Sequence, residues 1–112
     1  MSPLARAVYE LLRLRPAEAE PRITYAELAR QLRTSGEAFE HIFPRSRELY
    51  SALDEVGAHC RRRGLAPLPA LVVRADSKRP GAAYYTAGTR GEAVAAWRRD
   101  LEAVRQTAYP PL

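Results

Sequence analysis

The stretch LPALVVRADSKRPGAAYY, residues 68–85, decides the fold. A short apolar run rich in β-branched residues predicts a strand over about residues 70–75. DSKRPG follows with residues that favour turns, and AAYYTA predicts a returning strand. We therefore expect an antiparallel β-hairpin over about residues 70–86, with Lys78 and Arg79 at its tip. Because an isolated hairpin is marginal in water, it has to pack on helices.

Two helices are predicted ahead of this stretch, in the first third of the chain. The first, in SPLARAVYELLRLRP, can be capped by Ser2 and is stopped by Pro16. The second has the threonine-to-glutamate spacing of a capping box at Thr24 and Glu27, which predicts a helix that begins at Tyr25. The apolar stripe of this second helix is expected to face the core and consists of Leu28, Ala29 and Leu32.

Two longer helices flank the hairpin stretch. Apolar residues at helical spacing, followed by three arginines and a glycine, predict a third helix over about residues 46–63. A second capping-box pair, Thr89 and Glu92, opens a fourth helix over about residues 90–107. The single cysteine, Cys60, continues the apolar stripe of the third helix, so we expect it to be buried and unreactive.

The order helix, helix, helix, strand, strand, helix is the outline of a winged helix-turn-helix. The expected fold class is therefore α+β and mainly helical: one domain over residues 1–112, with the hairpin as the wing and flanking N- and C-terminal helices. No apolar run approaches the roughly 20 residues that span a bilayer, and the start lacks the apolar region of a signal peptide. We expect no membrane partner and, by default, a cytoplasmic location.

The segments RITYAELARQL and LPALVVRADSKRPGAAYY, with a long helix between them, resemble the winged-helix domain of the alkylguanine-DNA alkyltransferases and the alkyltransferase-like proteins. That family carries a Pro-Cys-His-Arg motif, whereas this chain has Leu-Pro-Ala-Leu at residues 68–71. The resemblance implies a DNA-binding fold without alkyl transfer. The same outline also resembles small bacterial modules found near restriction or phage-defence genes. The residues that match the alkyltransferase pattern, within about residues 22–85, are Ile23, Thr24, Tyr25, Leu28, Ala29, Val72, Val73 and Gly81.

The composition favours a polyanionic partner and offers no enzymatic chemistry. A net charge of +5 and a pI near 9.9 suit nucleic acid. No phosphate-binding glycine loop or acid–base carboxylate pair can be recognised, and His41, His59 and Cys60 lack the spacing of zinc ligands. We expect no catalytic residue, no metal and no cofactor.

Two functions remain open. The first is a non-enzymatic protein that binds double-stranded DNA, such as a small bacterial regulator or an accessory of a defence or repair system. The second is a protein-interaction module, a degenerate winged helix that docks a partner or dimerises. Asp54 and Glu55, in the middle of the third helix, disfavour its deep insertion into a groove. The residues expected to contact DNA are Arg45, Ser46, Arg47 and Ser51 of the third helix and Arg74, Lys78 and Arg79 of the hairpin.

Overall fold

The computed structural model describes residues 1–81 and 90–112. This part of the chain forms an α+β fold that is mainly helical, with four α-helices and two short strands. In chain order these elements are α1 (Pro3–Leu12), β1 (Ile23–Thr24), α2 (Tyr25–Ser35), α3 (Arg47–Arg62), β2 (Val72–Val73) and α4 (Arg90–Arg105). Single 3₁₀ turns at Arg15–Ala17, Glu37–Phe39 and Leu68–Leu71 complete the secondary structure of the described residues.

The first two helices begin where the capping signals predict. The Ser2 hydroxyl accepts the Ala5 amide at 3.1 Å, and the Thr24 hydroxyl accepts the Glu27 amide at 3.1 Å. Each bond satisfies one of the amides that a helix start leaves without a partner. The prediction that α2 begins at Tyr25 is confirmed.

The third and fourth helices also match their predicted ranges within a few residues. Ser46 precedes α3, but its hydroxyl accepts the Phe43 amide at 2.9 Å instead of capping the helix. At the other end Gly64 has a φ of 68°, and the Leu65 amide donates to the Cys60 carbonyl at 2.8 Å. This is the glycine-terminated helix end that the sequence indicates.

The predicted antiparallel hairpin is not confirmed. Residues 68–71 form a 3₁₀ turn that contains Pro69, and the strand that follows has only two residues. That strand pairs in parallel with β1, with Ile23 opposite Val72, so its partner lies ahead of α2 and not in the next segment. Both valines of β2 are buried, as is usual for parallel strands, which are covered on both faces.

The chain nevertheless turns back after β2. The Arg74 amide donates to the Arg79 carbonyl at 2.9 Å, and an isolated antiparallel bridge joins Val73 to Pro80. We call residues 74–79 the basic turn. The expected returning strand falls mainly on residues 82–89, which lie outside the described residues.

The core is built by packing α1 on α3 and by wedging the 68–71 turn between α3 and α4. The Trp97 indole of α4 donates to the Ala70 carbonyl at 2.7 Å and fixes this turn. Cys60 is fully buried, as predicted, and so are the three residues of the α2 stripe. Within residues 1–81 and 90–112, no helix combines the length and apolar character needed to cross a bilayer.

Candidate nucleic-acid interface

Two adjoining depressions share Tyr25, Tyr50 and Gly81 in their walls, and we call them together the tyrosine cleft. The two tyrosine rings lie 5.5 Å apart, centroid to centroid. The depression beside the basic turn has a volume of about 480 Å³. The other, of about 600 Å³, continues along α3 past Asp54 and Arg61.

Tyr25 takes its place in the cleft because it is the first residue of α2, directly after the capping threonine. Its ring approaches Gly81 so closely that a β-carbon at residue 81 would overlap the tyrosine hydroxyl. Burial, with a smaller contribution from the neighbouring Tyr50, raises the pKa of Tyr25 to about 12, whereas Arg74 opposes the shift. Tyr25 is therefore protonated at neutral pH, and its hydroxyl keeps a proton to donate.

The structure brings together two of the predicted DNA-contacting residues that are far apart in sequence. Arg45, just ahead of α3, and Arg74, just after β2, line the same depression of the tyrosine cleft. The Arg74 guanidinium lies 3.7 Å from the Asp76 carboxylate, and both side chains are more than half exposed. Such an exposed pair contributes little, so both arginines can serve an external anion.

The basic turn adds two more cations beside Arg74. Lys78 has a φ of 56°, in the left-handed region, and its amide donates to the Arg74 carbonyl at 2.9 Å. This bond holds the turn in a shape that places both the Lys78 and Arg79 side chains in solvent. Arg79 also lines a small depression with Arg98 of α4.

The remaining predicted site residues, all near the start of α3, occupy different environments. Arg47 is exposed as the first residue of α3. The Ser46 hydroxyl is engaged by the Phe43 amide. Ser51 lies in another depression, beside Glu48 and Glu55 and close to the start of α1. The structure thus groups Arg45 with the basic turn, leaves Arg47 exposed at the start of α3, and places Ser51 among carboxylates.

Among the described residues, four cations of this surface lack the carboxylate partner that some arginines nearer the N-terminus have. There Arg13 is paired with Glu10 at 2.6 Å and Arg30 with Glu27 at 2.5 Å. In the described part of the chain, no side-chain hydrogen bond or ion pair engages the cations at the start of α3 or at the tip of the basic turn. These unengaged cations are Arg45, Arg47, Lys78 and Arg79.

Sequence reasoning missed the tyrosine cleft itself. Tyr25 was recognisable as the start of a helix and Tyr50 as a residue off the apolar stripe of α3, but neither position indicates that the rings meet. Their contact depends on how the fold places the start of α2 beside the first half of α3. The one local signal was Tyr50 itself, which is 43% exposed in a helix whose other exposed residues are all polar or charged.

Comparisons of the chain with models of protein families, with curated proteins and with solved structures find no match. The protein is therefore classified by its fold and its surface alone. The described chain is a small, mainly helical α+β domain in which arginines flank an aromatic cleft.

Proposed function

We propose that the protein is a non-enzymatic DNA-binding domain that contacts duplex phosphates around the tyrosine cleft. The observation that carries the proposal is the position of Arg45 and Arg74 on one depression, with the two cations of the basic turn next to them. An arginine guanidinium offers a planar fork of donors that matches a phosphate group. Arg45, Lys78 and Arg79 have no carboxylate partner among the described residues and need not break an ion pair to bind a phosphate. Arg74 has only its exposed 3.7 Å pair with Asp76 to open.

The cations of this surface differ in how rigidly the backbone beneath them is held. Lys78 and Arg79 project from a turn, so they suit the DNA backbone, where no sequence is read. Arg47 projects from the first turn of a 16-residue helix and has the firmer support that base contacts require. The exposed Asp54 lies two turns further along α3 and would repel phosphates. We therefore place only the first turn of α3 in the major groove.

The test is a titration of the full chain against labelled duplexes at several salt concentrations. Phosphate contacts release counterions, so the affinity of the wild type should fall steeply as salt rises. The variant Lys78→Ala/Arg79→Ala should bind all duplexes more weakly, with a log–log salt slope lower by about two units.

A charge-matched control separates the basic turn from net charge. Arg22→Ala/Arg30→Ala also removes two cations, but these arginines are paired with Glu20 and Glu27 and lie outside the cleft. The control should keep the salt slope of the wild type. Equal loss in both variants would show a diffuse charge effect. If the wild type did not bind duplex at low salt, the proposal would be rejected and the protein-interaction module would be favoured. Analytical ultracentrifugation would then show whether the chain forms dimers.

A further inference from the structure

A second basic depression lies at the far end of α3, away from Arg45 and Arg47. It has a volume of about 570 Å³ and is lined by Arg6 of α1 and by His59, Arg62 and Arg63 around the end of α3. We call it the arginine cleft. The 16 residues of α3 span about 24 Å. The arginine cleft is therefore separated from Arg45 and Arg47 by more than the width of a DNA duplex.

The positive charge of the arginine cleft is not neutralised by acidic side chains. No aspartate or glutamate of residues 1–81 and 90–112 lines it. The guanidinium of Arg6 makes one long contact, 3.4 Å to the Met1 carbonyl. Arg62 and Arg63 are exposed, and their side chains make no hydrogen bond or ion pair among the described residues. Leu112 also lines the cleft, and its terminal carboxylate adds one negative charge to the roughly half charge of the carboxyl end of α3. The three arginines exceed both together.

The imidazole of His59 lies beside these positive charges. Its ring meets the Tyr9 ring edge-on, with centroids 5.2 Å apart. Burial lowers the pKa of His59, and Arg63, Arg62 and the N-terminal amine lower it further. A protonated His59 is disfavoured first by burial and then by the positive charges beside the imidazole. Those same charges attract an anion.

We propose that the arginine cleft binds a phosphate-bearing anion. Its volume lies within the range of small-molecule sites, and guanidinium forks from two separate elements can surround several phosphate oxygens. The phosphate can belong to a free small molecule, such as a pyrophosphate or a nucleotide, or to a nucleic-acid backbone. The site is distinct from the tyrosine cleft, and the inference does not depend on the proposed DNA contacts there.

The probe is inorganic pyrophosphate, titrated calorimetrically into the full chain at low salt. The wild type should bind it saturably. Arg62→Ala/Arg63→Ala should weaken binding by at least about tenfold, because each charged hydrogen bond contributes on that order. The matched control is Arg98→Ala/Arg99→Ala, two exposed arginines of α4 outside the cleft. This control should bind like the wild type, and thermal unfolding should show that both variants are folded.

A second readout is the proton titration of the His59 ring by NMR. A bound anion stabilises the imidazolium, so pyrophosphate should raise the pKa of His59. The groups that face His59 are Tyr9 of α1, the N-terminal amine, and Arg62 and Arg63. Surface accumulation of anions would leave this pKa nearly unchanged.

Competition identifies the source of the phosphate. Displacement of pyrophosphate by a short duplex, measured in the Lys78→Ala/Arg79→Ala variant, would assign the cleft to a nucleic-acid backbone. Retention of pyrophosphate in the presence of saturating duplex would assign it to a free small anion. The proposal is overturned if the wild type does not bind pyrophosphate, or if the cleft variant and the α4 control lose affinity equally.

Discussion

Tyr25 and Gly81 are packed so closely that residue 81 has no room for a side chain. A β-carbon added there would overlap the Tyr25 hydroxyl and press on the ring carbons behind it. This contact links the residues after the basic turn to the first residue of α2, and both residues line the tyrosine cleft. The shape of the cleft therefore depends on a glycine at this position.

We predict that Gly81→Ala lowers the free energy of unfolding by about 1–2 kcal/mol, because the overpacked Tyr25 ring has to shift. Gly36→Ala is the control, since a β-carbon there meets nothing within 4 Å and the φ of 166° is extended backbone. The control should lie within about 0.5 kcal/mol of the wild type. Urea unfolding compares the three proteins, and equal stability of both variants would contradict the close packing.

The cap of α2 gives a second prediction. Thr24→Ala removes the hydroxyl that accepts the Glu27 amide and should cost about 1 kcal/mol of stability. Thr24→Ser keeps a hydroxyl at the same place and should retain most of that stability. The measurement is chemical denaturation. If the alanine and serine variants were equally destabilised, methyl packing of Thr24 and not capping would be responsible.

Cys60 should be inert in the native protein. Its side chain is fully buried, and burial raises the pKa of its thiol, so the reactive thiolate is scarce. A thiol reagent should label the native chain more than about a hundredfold more slowly than the urea-unfolded chain, because only rare opening exposes the thiol. Labelling at comparable rates would reopen a chemical role for this cysteine.

Alkaline pH should destabilise the protein partly through Tyr25. The pKa of this phenol is raised from 10.0 to about 12 in the folded protein, mainly by burial. The unfolded state loses its proton first, so the stabilisation is fully present below about pH 10 and is lost as pH rises toward 12. Tyr25→Phe should therefore lose less stability than the wild type between about pH 8 and pH 11. Parallel losses in the two proteins would show that Tyr25 is not buried.

The helices could be predicted from the sequence because their signals are local. A capping hydroxyl three residues before a glutamate locates the start of α2, and a glycine after three arginines locates the end of α3. The parallel pairing of β1 with β2 has no such signal, since its two strands are separated by α2 and α3. The run LPALVV reads as one strand, yet Pro69 and the buried Trp97–Ala70 hydrogen bond hold its first half in a turn.

In the candidate site, too, the local features could be predicted from the sequence and the long-range ones could not. Individual cations such as Arg45 and Lys78 could be identified by charge and by their position at a helix start or a turn. Their grouping could not, because the depression that joins Arg45 to Arg74 exists only after β2 pairs with β1. Neighbouring residues on the outward face of α3 also line different depressions. Tyr50 lines the tyrosine cleft, whereas Ser51 lines the depression that contains Glu48 and Glu55.

Arg47 provides the sharpest prediction about sequence recognition by the proposed DNA-binding surface. It is exposed at the first position of α3 and has no side-chain partner among the described residues, so its guanidinium is available to bond guanine in two places. Arg47→Ala should change the ranking of duplexes selected from a random pool, at about 1–3 kcal/mol for the guanine concerned. Arg47→Lys keeps the charge without the fork and should restore backbone affinity but not the ranking.

The contrast with the basic turn makes the Arg47 test decisive. Lys78→Ala/Arg79→Ala should weaken every duplex alike and leave the ranking intact, because phosphate contacts carry no sequence information. If Arg47→Ala also weakened every duplex uniformly, Arg47 would be a backbone contact and the start of α3 would not enter the groove. Uniform weakening by Arg47→Ala, combined with a changed ranking in the turn variant, would assign base reading to the basic turn instead.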